Sequence, residues 1–212
     1  MTGPPSGQAV LVTGALGCLG AWAVRELLTA GIAVVGFDST DNTRRLRQIT
    51  PSDLVDRVRL VNPGEEVTLG NRTLMAVKPP VFDNPCTTGF YDKTSGVFFS
   101  SDCFGALLQA VPENAAEIPE QDLRDGQVLW ATIDSPWLHK VDRHAFAVEL
   151  DAIRSIAPTL ILSNHLPPAP GRLMERFLGS LTASPGASPF VGPNQAALEQ
   201  MLKQMAEAPA GV

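Results

Sequence analysis

The apolar positions near the start of the chain predict a strand, a helix and a second strand in succession. Residues 9–12 form a short apolar run rich in β-branched side chains, which is typical of a buried parallel strand. Apolar side chains then recur at helical spacing over 21–29, and Gly31 ends this helix. Residues 32–37 form a second buried strand with Asp38 at its carboxyl end. This order predicts a βαβ unit.

The pattern changes near Val61, where short strands and turns replace the alternation of strand and helix. Before that point, helical turns over 44–58 break at Thr50-Pro51, where Ser52 is placed to cap a restart. The later predicted elements are hairpins of 66–69 with 73–77 and of 88–92 with 97–101, a helix over 144–156, a strand over 159–162 and a helix over 195–206. Residues 182–193 are rich in Pro, Gly and Ser and predict a linker.

Charge and composition exclude several classes of partner. The 212 residues carry a net charge of −6, whereas a nucleic-acid-binding surface is basic. No apolar run approaches the roughly 18 residues of a membrane span, and the N-terminus has no signal-peptide pattern. The three scattered cysteines match neither a disulfide framework nor a zinc site. We therefore expect a cytoplasmic protein with reduced thiols that binds neither nucleic acid nor membrane.

The glycines after the first strand indicate a dinucleotide-binding turn. Gly14, Gly17 and Gly20 lie between a strand and a helix, and Asp38 ends the next strand 18 residues after Gly20. In such a turn the glycines allow a tight bend, a close approach of the pyrophosphate and close helix packing. An acid at the position of Asp38 binds both ribose hydroxyls and favours NAD over NADP. The alternative is a tight turn whose glycines serve packing alone.

These residues resemble the extended short-chain dehydrogenase/reductase family of NAD-dependent epimerases and dehydratases. The similarity covers residues 8–61, including VLVTGALGCLGAWAVRELLTAGIAVVGFD. It implies NAD binding by the glycines and Asp38, with Cys18 and Leu19 in the same turn. The family's catalytic Tyr-x-x-x-Lys is absent, since the single tyrosine, Tyr91, is followed four positions later by Ser95. The catalytic residues of any reaction are therefore unknown, and whether the chain is an enzyme is open.

From about residue 57 the chain resembles another family, the second half of metallo-β-lactamase-fold proteins of the flavodiiron type. The stretches that carry this similarity are RVRLVNPGEEVTLGNRTLMAVKPPVFDNP, TGFYDKTSGVFFSSDCFGA and LILSNHLPP. The resemblance implies a metal-bridging carboxylate at Asp102, a terminal ligand at His165, and Asp83 near the place of a ligand histidine. Carboxylate and imidazole ligands suit iron, zinc or manganese.

The rest of that family's ligand set is missing. An H-x-[HE]-x-D-H motif would supply most of the ligands, but the chain has only three histidines and no such motif. His139 and His144 are interpreted as surface or cap residues. Without a metal, Asp102 would cap a turn, His165 would be buried against backbone, and Asp83 would form an Asx-type turn.

The sequence thus predicts an α/β fold in which a Rossmann-like βαβ opening joins a mixed α/β layer from half of a metallo-β-lactamase-type sandwich. The expected units are residues 1–61, residues 62–181, and a linker with a terminal helix over 182–212, with the junction at 58–62. The leading hypothesis is an NAD(H)-binding protein without dehydrogenase machinery. The alternatives are a metal-binding hydrolase or oxidoreductase remnant, and a non-catalytic hybrid or interaction protein, with a homo-oligomer covering incomplete sheet edges.

Overall fold

The computed structural model describes residues 9–38, 42–50 and 59–207. Its first sheet is parallel, in the order β1 (Ala9–Thr13), β2 (Ala33–Asp38) and β3 (Arg59–Leu60). Helix α1 (Cys18–Thr29) connects β1 to β2, and α2 (Arg44–Ile49) follows β2. The predicted strand–helix–strand order is therefore confirmed. The expected restart at Ser52 lies outside the described residues.

The ends of α1 follow from its glycines. The helix begins three residues earlier than predicted. Its N-cap is Gly17, which has no side chain to cap the first turn. It ends where Gly31 adopts φ +73°, a left-handed conformation that glycine reaches without a Cβ clash. The Gly31 and Ile32 amides donate to the Leu28 and Leu27 carbonyls at 3.0 and 2.9 Å, which closes the helix as a Schellman motif.

The second sheet has six strands in sequential order. They are β4 (Glu66–Leu69), β5 (Arg72–Val77), β6 (Gly89–Asp92), β7 (Val97–Phe99), β8 (Leu160–Ser163) and β9 (Leu166–Pro170). All neighbouring pairs are antiparallel except β7 and β8, which are parallel. The helices after β7 are α3 (Glu120–Asp134), α4 (Arg143–Arg154), α5 (Met174–Ala183) and α6 (Gln195–Glu207).

Strand β9 and helix α5 were not predicted. Strand β9 contains Pro167, Pro168 and Pro170, which argue against a central strand, but it lies at the edge of the sheet, where prolines are accommodated. Helix α5 buries side chains at helical spacing, namely Met174, Phe177, Leu178 and Leu181. Residues 182 and 183 of the predicted linker belong to α5, and Ser184 directly after this helix is buried.

The main core lies between one face of the six-stranded sheet and helices α3, α4 and α5. It contains Phe98 and Ile161 from the sheet, Leu123 from α3 and Phe177 from α5, and the Phe104 ring packs 5.3 Å from that of Phe177. Smaller clusters form around α1 with Val24, Val34 and Leu46, and around the first hairpin with Val61, Val67, Leu74, Ala76 and Phe90. The mixed α/β class is confirmed, whereas the unit boundaries remain a prediction.

Candidate metal centre

Asp102 and His165 meet because β7 and β8 run parallel. Phe99 of β7 pairs with Leu162 of β8. Asp102 lies three positions after Phe99, and His165 lies three positions after Leu162. The carboxyl ends of parallel strands reach the same edge of a sheet, so the two turns lie side by side. His165 Nε2 is 3.1 Å from Asp102 Oδ1. The structure therefore brings together two of the three predicted metal ligands.

The turn that carries Asp102 is tied to the β8–β9 turn by several hydrogen bonds. The Asn164 side-chain amide donates to Asp102 Oδ1 at 3.2 Å, and the Asn164 backbone amide donates to the Ser101 carbonyl at 2.9 Å. Ser101 and Phe104 adopt φ angles of +56° and +68°, which residues other than glycine rarely adopt. The surrounding bonds hold this strained turn, and such strain is common at functional sites.

The third predicted ligand, Asp83, joins the same cluster, together with a residue that the sequence did not single out. Carboxylate oxygens of Asp83, Asp102 and Asp134 all lie within 4.8 Å of one another. Asp134 is the last residue of α3, where a negative charge is disfavoured by the helix dipole. An acid that closes a helix is the one sequence signal that could have marked it.

The clustering changes the acidity of Asp134. Partial burial and the negative charges of Asp102 and Asp83 raise the pKa of this carboxyl, against a smaller lowering by Ser135 and His165. Three carboxylates this close together are therefore costly in the folded chain. A bound cation would offset that cost.

Trp130 covers one side of the site. Its ring lies 4.2 Å from the His165 ring, centroid to centroid, and its Nε1 donates to the Asp102 carbonyl at 3.0 Å. This approach requires Gly105, because a Cβ there would lie 2.5 Å from Trp130 Nε1. His165 keeps 45% of its side chain exposed, so the opposite side of the site stays open.

The loop that carries Asp83 is held by Lys78. The Lys78 ammonium donates to the Pro85 and Thr87 carbonyls at 2.6 and 3.1 Å, and it lies 3.7 Å over the Phe82 ring. Thr87 Oγ1 in turn donates to Asp83 Oδ1 at 3.2 Å. Burial lowers the pKa of Lys78, against a smaller rise from the charges of Cys86 and Glu149.

Several expectations about these residues are corrected. An Asx-type turn exists in this loop, but Asn84 forms it by accepting a bond from the Cys86 amide at 2.8 Å, so Asp83 is not its source. His165 is half-exposed and contacts a carboxylate, so it is not buried against backbone. His144 is exposed, as expected, whereas His139 is half-buried with its Nε2 atom unpartnered.

The three clustered carboxylates, with His165 beside Asp102, could hold one metal ion. Three carboxylates and one imidazole suffice for a single ion with open positions. No second group of three or more metal-binding side chains exists in the part of the chain that the structure describes. Neither His139 nor His144 belongs to the cluster. Cys103 is no alternative as a nucleophile, because burial raises the pKa of its thiol.

The glycine turn before α1 has a packing explanation. Gly14 adopts φ +64°, and a Cβ on Gly20 would lie 1.9 Å from the Gly14 carbonyl oxygen. Leu19 is 85% exposed. Cys18 opens α1 and Asp38 closes β2, but their side chains lie outside the described part of the structure. A cavity of about 380 Å³ beside this turn is lined by Leu16, Asn42, Arg44, Arg45 and Gln48.

Comparison with known proteins gives a fold and no family. No family model and no curated protein matches the chain, so the dehydrogenase resemblance gains no support. Among the described residues, no helix has the length and apolarity needed to cross a bilayer. Solved structures, in contrast, match over most of the chain.

Three of these structures are similar at low sequence identity. They are a rubredoxin:oxygen oxidoreductase from Desulfovibrio gigas (17% identity, TM-score 0.63, 86% of this chain and 45% of that one), a flavoprotein from Thermotoga maritima (19%, 0.57, 83% and 42%) and the chemotaxis sensor ODP from T. denticola (16%, 0.56, 83% and 67%). The chain thus spans less than half the length of the first two. Its fold is similar to that of metallo-β-lactamase-fold flavodiiron proteins.

Proposed function

We propose that this chain binds one iron ion through Asp83, Asp102, Asp134 and His165. The observation that carries the proposal is the convergence of three carboxylates within 4.8 Å, with the imidazole 3.1 Å from one of them. These four side chains come from four different regions of the fold, which makes a chance surface cluster a weaker explanation. Oxygen donors with one imidazole suit iron and manganese better than a soft thiolate-binding metal.

Iron is the first choice because solved structures of similar fold include proteins named as flavo di-iron proteins. The donor set differs from a two-metal site, so the proposal is a single-ion centre. A bound iron ion would supply a redox-active and Lewis-acidic centre at this edge of the sheet.

The chain's own residues would orient the ligands and shape access to them. Asn164 holds the Asp102 carboxylate, and Lys78 and Thr87 hold the loop that carries Asp83. Trp130 blocks one side of His165, so a small molecule would approach from the exposed side. Outer contacts of this kind fix the orientation of metal ligands and influence affinity.

The test is metal loading under anaerobic conditions, followed by elemental analysis. We expect the wild type to retain one equivalent of iron, and Asp134→Asn and His165→Ala to bind at least about tenfold more weakly, since loss of even an outer contact of a metal ligand lowers affinity by about 10- to 100-fold. Asp122→Asn on the same helix is the matched control and should bind as the wild type does. Absence of stoichiometric metal from the wild type refutes the proposal. If the wild type retains only zinc or manganese, iron is the wrong ion for this site.

A dinucleotide is the second candidate ligand, and one observation favours it. The cavity beside the glycine turn is lined by Arg44 and Arg45, whose charges would attract phosphate groups. The test is a titration of NADH fluorescence with the wild type and Asp38→Ala. Saturable binding that Asp38→Ala weakens supports NAD(H) binding, and a wild type that does not saturate rules it out.

A further inference from the structure

A groove separate from the metal cluster runs between α3 and the segment before it. It has a volume of about 690 Å³ and lies between residues 107–112 and the first turns of α3. Its floor is apolar, with Ile118 buried, while Leu107, Val111 and Leu129 are 45%, 77% and 42% exposed. Apolar side chains of this size that cluster on a surface mark a place where another molecule binds.

The wall of the groove is fixed by backbone contacts. The Leu107 amide donates to the Gly126 carbonyl at 3.1 Å, and a Cβ on Gly126 would lie 2.5 Å from the Leu107 carbonyl oxygen. The preceding amide, that of Ala106, donates to the His165 carbonyl at 3.0 Å. The groove is therefore preformed, which lowers the entropic cost of binding.

The charges along the groove all have one sign. Its lining contains Glu117, Asp122 and Asp125 and no lysine or arginine. All three acids are exposed, and none forms an ion pair with another described residue. An apolar floor with an acidic rim is complementary to a ligand that has an apolar face flanked by positive charges.

Helices α6 and α2 of this chain do not supply such a ligand. Helix α6 exposes Leu198, Met201 and Leu202, but its sequence has two glutamates and one lysine, which the acidic rim would repel. Helix α2 is basic, yet its Leu46 is fully buried in the cluster around α1. Neither helix, in this chain or in a second copy, combines free apolar side chains with positive charge.

We propose that the groove binds an amphipathic, basic helical segment of a different protein. Leucine-like side chains of that segment would fill the space over Ile118 between Leu107 and Leu129. Its lysine or arginine side chains would face Glu117, Asp122 and Asp125. This surface does not depend on metal at the neighbouring cluster.

The test uses a synthetic helical peptide of leucine and lysine on opposite faces, and a counterpart with glutamate in place of lysine. We expect the full-length wild type to bind the lysine peptide saturably in fluorescence anisotropy, more weakly as salt rises, and the glutamate peptide far less. The double variant Glu117→Gln/Asp122→Asn, which removes two negative charges, should weaken binding about threefold or more, from two exposed charge pairs. Leu129→Ser should weaken binding of the same peptide with little effect of salt.

The matched control is Glu26→Gln/Glu199→Gln, which changes the net charge equally at two exposed sites away from the groove. It should bind the lysine peptide as the wild type does. Equal loss of binding in control and groove variants would show a general charge effect and overturn the proposal, as would a wild type that binds both peptides alike. Concentration-dependent self-association that Leu129→Ser abolishes would assign the groove to a second copy instead.

Discussion

The Trp130 indole lies against the His165 imidazole with the ring centroids 4.2 Å apart, so the end of α3 and the β8–β9 turn meet at the candidate metal centre. The same indole donates a hydrogen bond to the Asp102 carbonyl. Trp130 therefore touches two of the four proposed ligands and is the natural optical probe of the site.

We expect iron binding to quench the emission of Trp130. The chain has three tryptophans, so Trp22→Phe, Trp130→Phe and Trp137→Phe are needed to separate their signals. Quenching should persist in Trp22→Phe and largely disappear in Trp130→Phe, which should also lose about 1 kcal/mol of stability with its hydrogen bond. The measurement is a fluorescence titration with Fe(II), and quenching that survives in Trp130→Phe would contradict it.

Loss of the Lys78 ammonium should release the loop that carries Asp83. Lys78→Met keeps an apolar stem but removes both bonds to the Pro85 and Thr87 carbonyls. We expect a stability loss of about 1–3 kcal/mol and weaker metal binding. Lys93→Met is the control, because Lys93 forms an exposed pair with Glu66 and such pairs contribute at most about 1 kcal/mol. Urea unfolding and metal titration are measured for both variants. Unchanged metal affinity in Lys78→Met would contradict the claim that this loop positions Asp83 for metal binding.

Asp92 should make the stability of the protein depend on acidic pH. Burial raises the pKa of this carboxyl. Hydrogen bonds from the Ser95 hydroxyl, the Thr94 amide and Arg72 together lower it by more, so the net shift of the pKa is downward. Because the folded-state pKa lies below the unfolded value of about 3.9, the stabilisation is complete above that pH and is lost as the pH falls through the folded-state pKa.

The variant Asp92→Asn should remove this part of the pH dependence and cost about 1–3 kcal/mol near neutrality. The measurement is urea unfolding at a series of pH values between about 2 and 6, which brackets the shift. The exposed Asp122→Asn serves as the reference and should preserve the wild-type pH profile. An Asp92→Asn profile parallel to that of the wild type would disprove the assignment.

Replacing Gly20 and Gly179 by alanine should change the stability of the protein in opposite directions. Gly20→Ala places a Cβ 1.9 Å from the Gly14 carbonyl oxygen and should destabilise the chain by about 1–3 kcal/mol. Gly179 lies within α5 with nothing near its missing Cβ, so Gly179→Ala should stabilise by about 0.5–1 kcal/mol. Thermal unfolding compares them, and a tolerated Gly20→Ala would remove the packing explanation of the glycine turn.

The periodic parts of the sequence predicted their elements well. The βαβ opening and both hairpins follow from apolar spacing and turn glycines, which are local signals. Strand β9 escaped because its three prolines normally exclude a strand, and only its place at the sheet edge removes the conflict. Helix α5 had a clear apolar stripe that local spacing alone could have revealed.

The candidate site was partly accessible from sequence. Asp83, Asp102 and His165 were marked by family resemblance, and the parallel pairing of β7 with β8 accounts physically for the contact between the last two. Asp134 was missed because an acid at a helix end is a weak signal, and its approach to Asp102 depends on how α3 packs against the sheet. The glycine motif shows the reverse problem, since close packing of α1 on its own turn and cofactor binding require the same residues.

Strand β9 has a further consequence for how copies of this protein behave in solution. Three of its five residues have no amide hydrogen, so this outer rim of the six-stranded sheet offers few donors to an approaching chain. A foreign strand could not dock there with a regular ladder. The prolines thus make this rim a poor template for polymerisation, and folded molecules at high concentration are protected against fibre growth from that side.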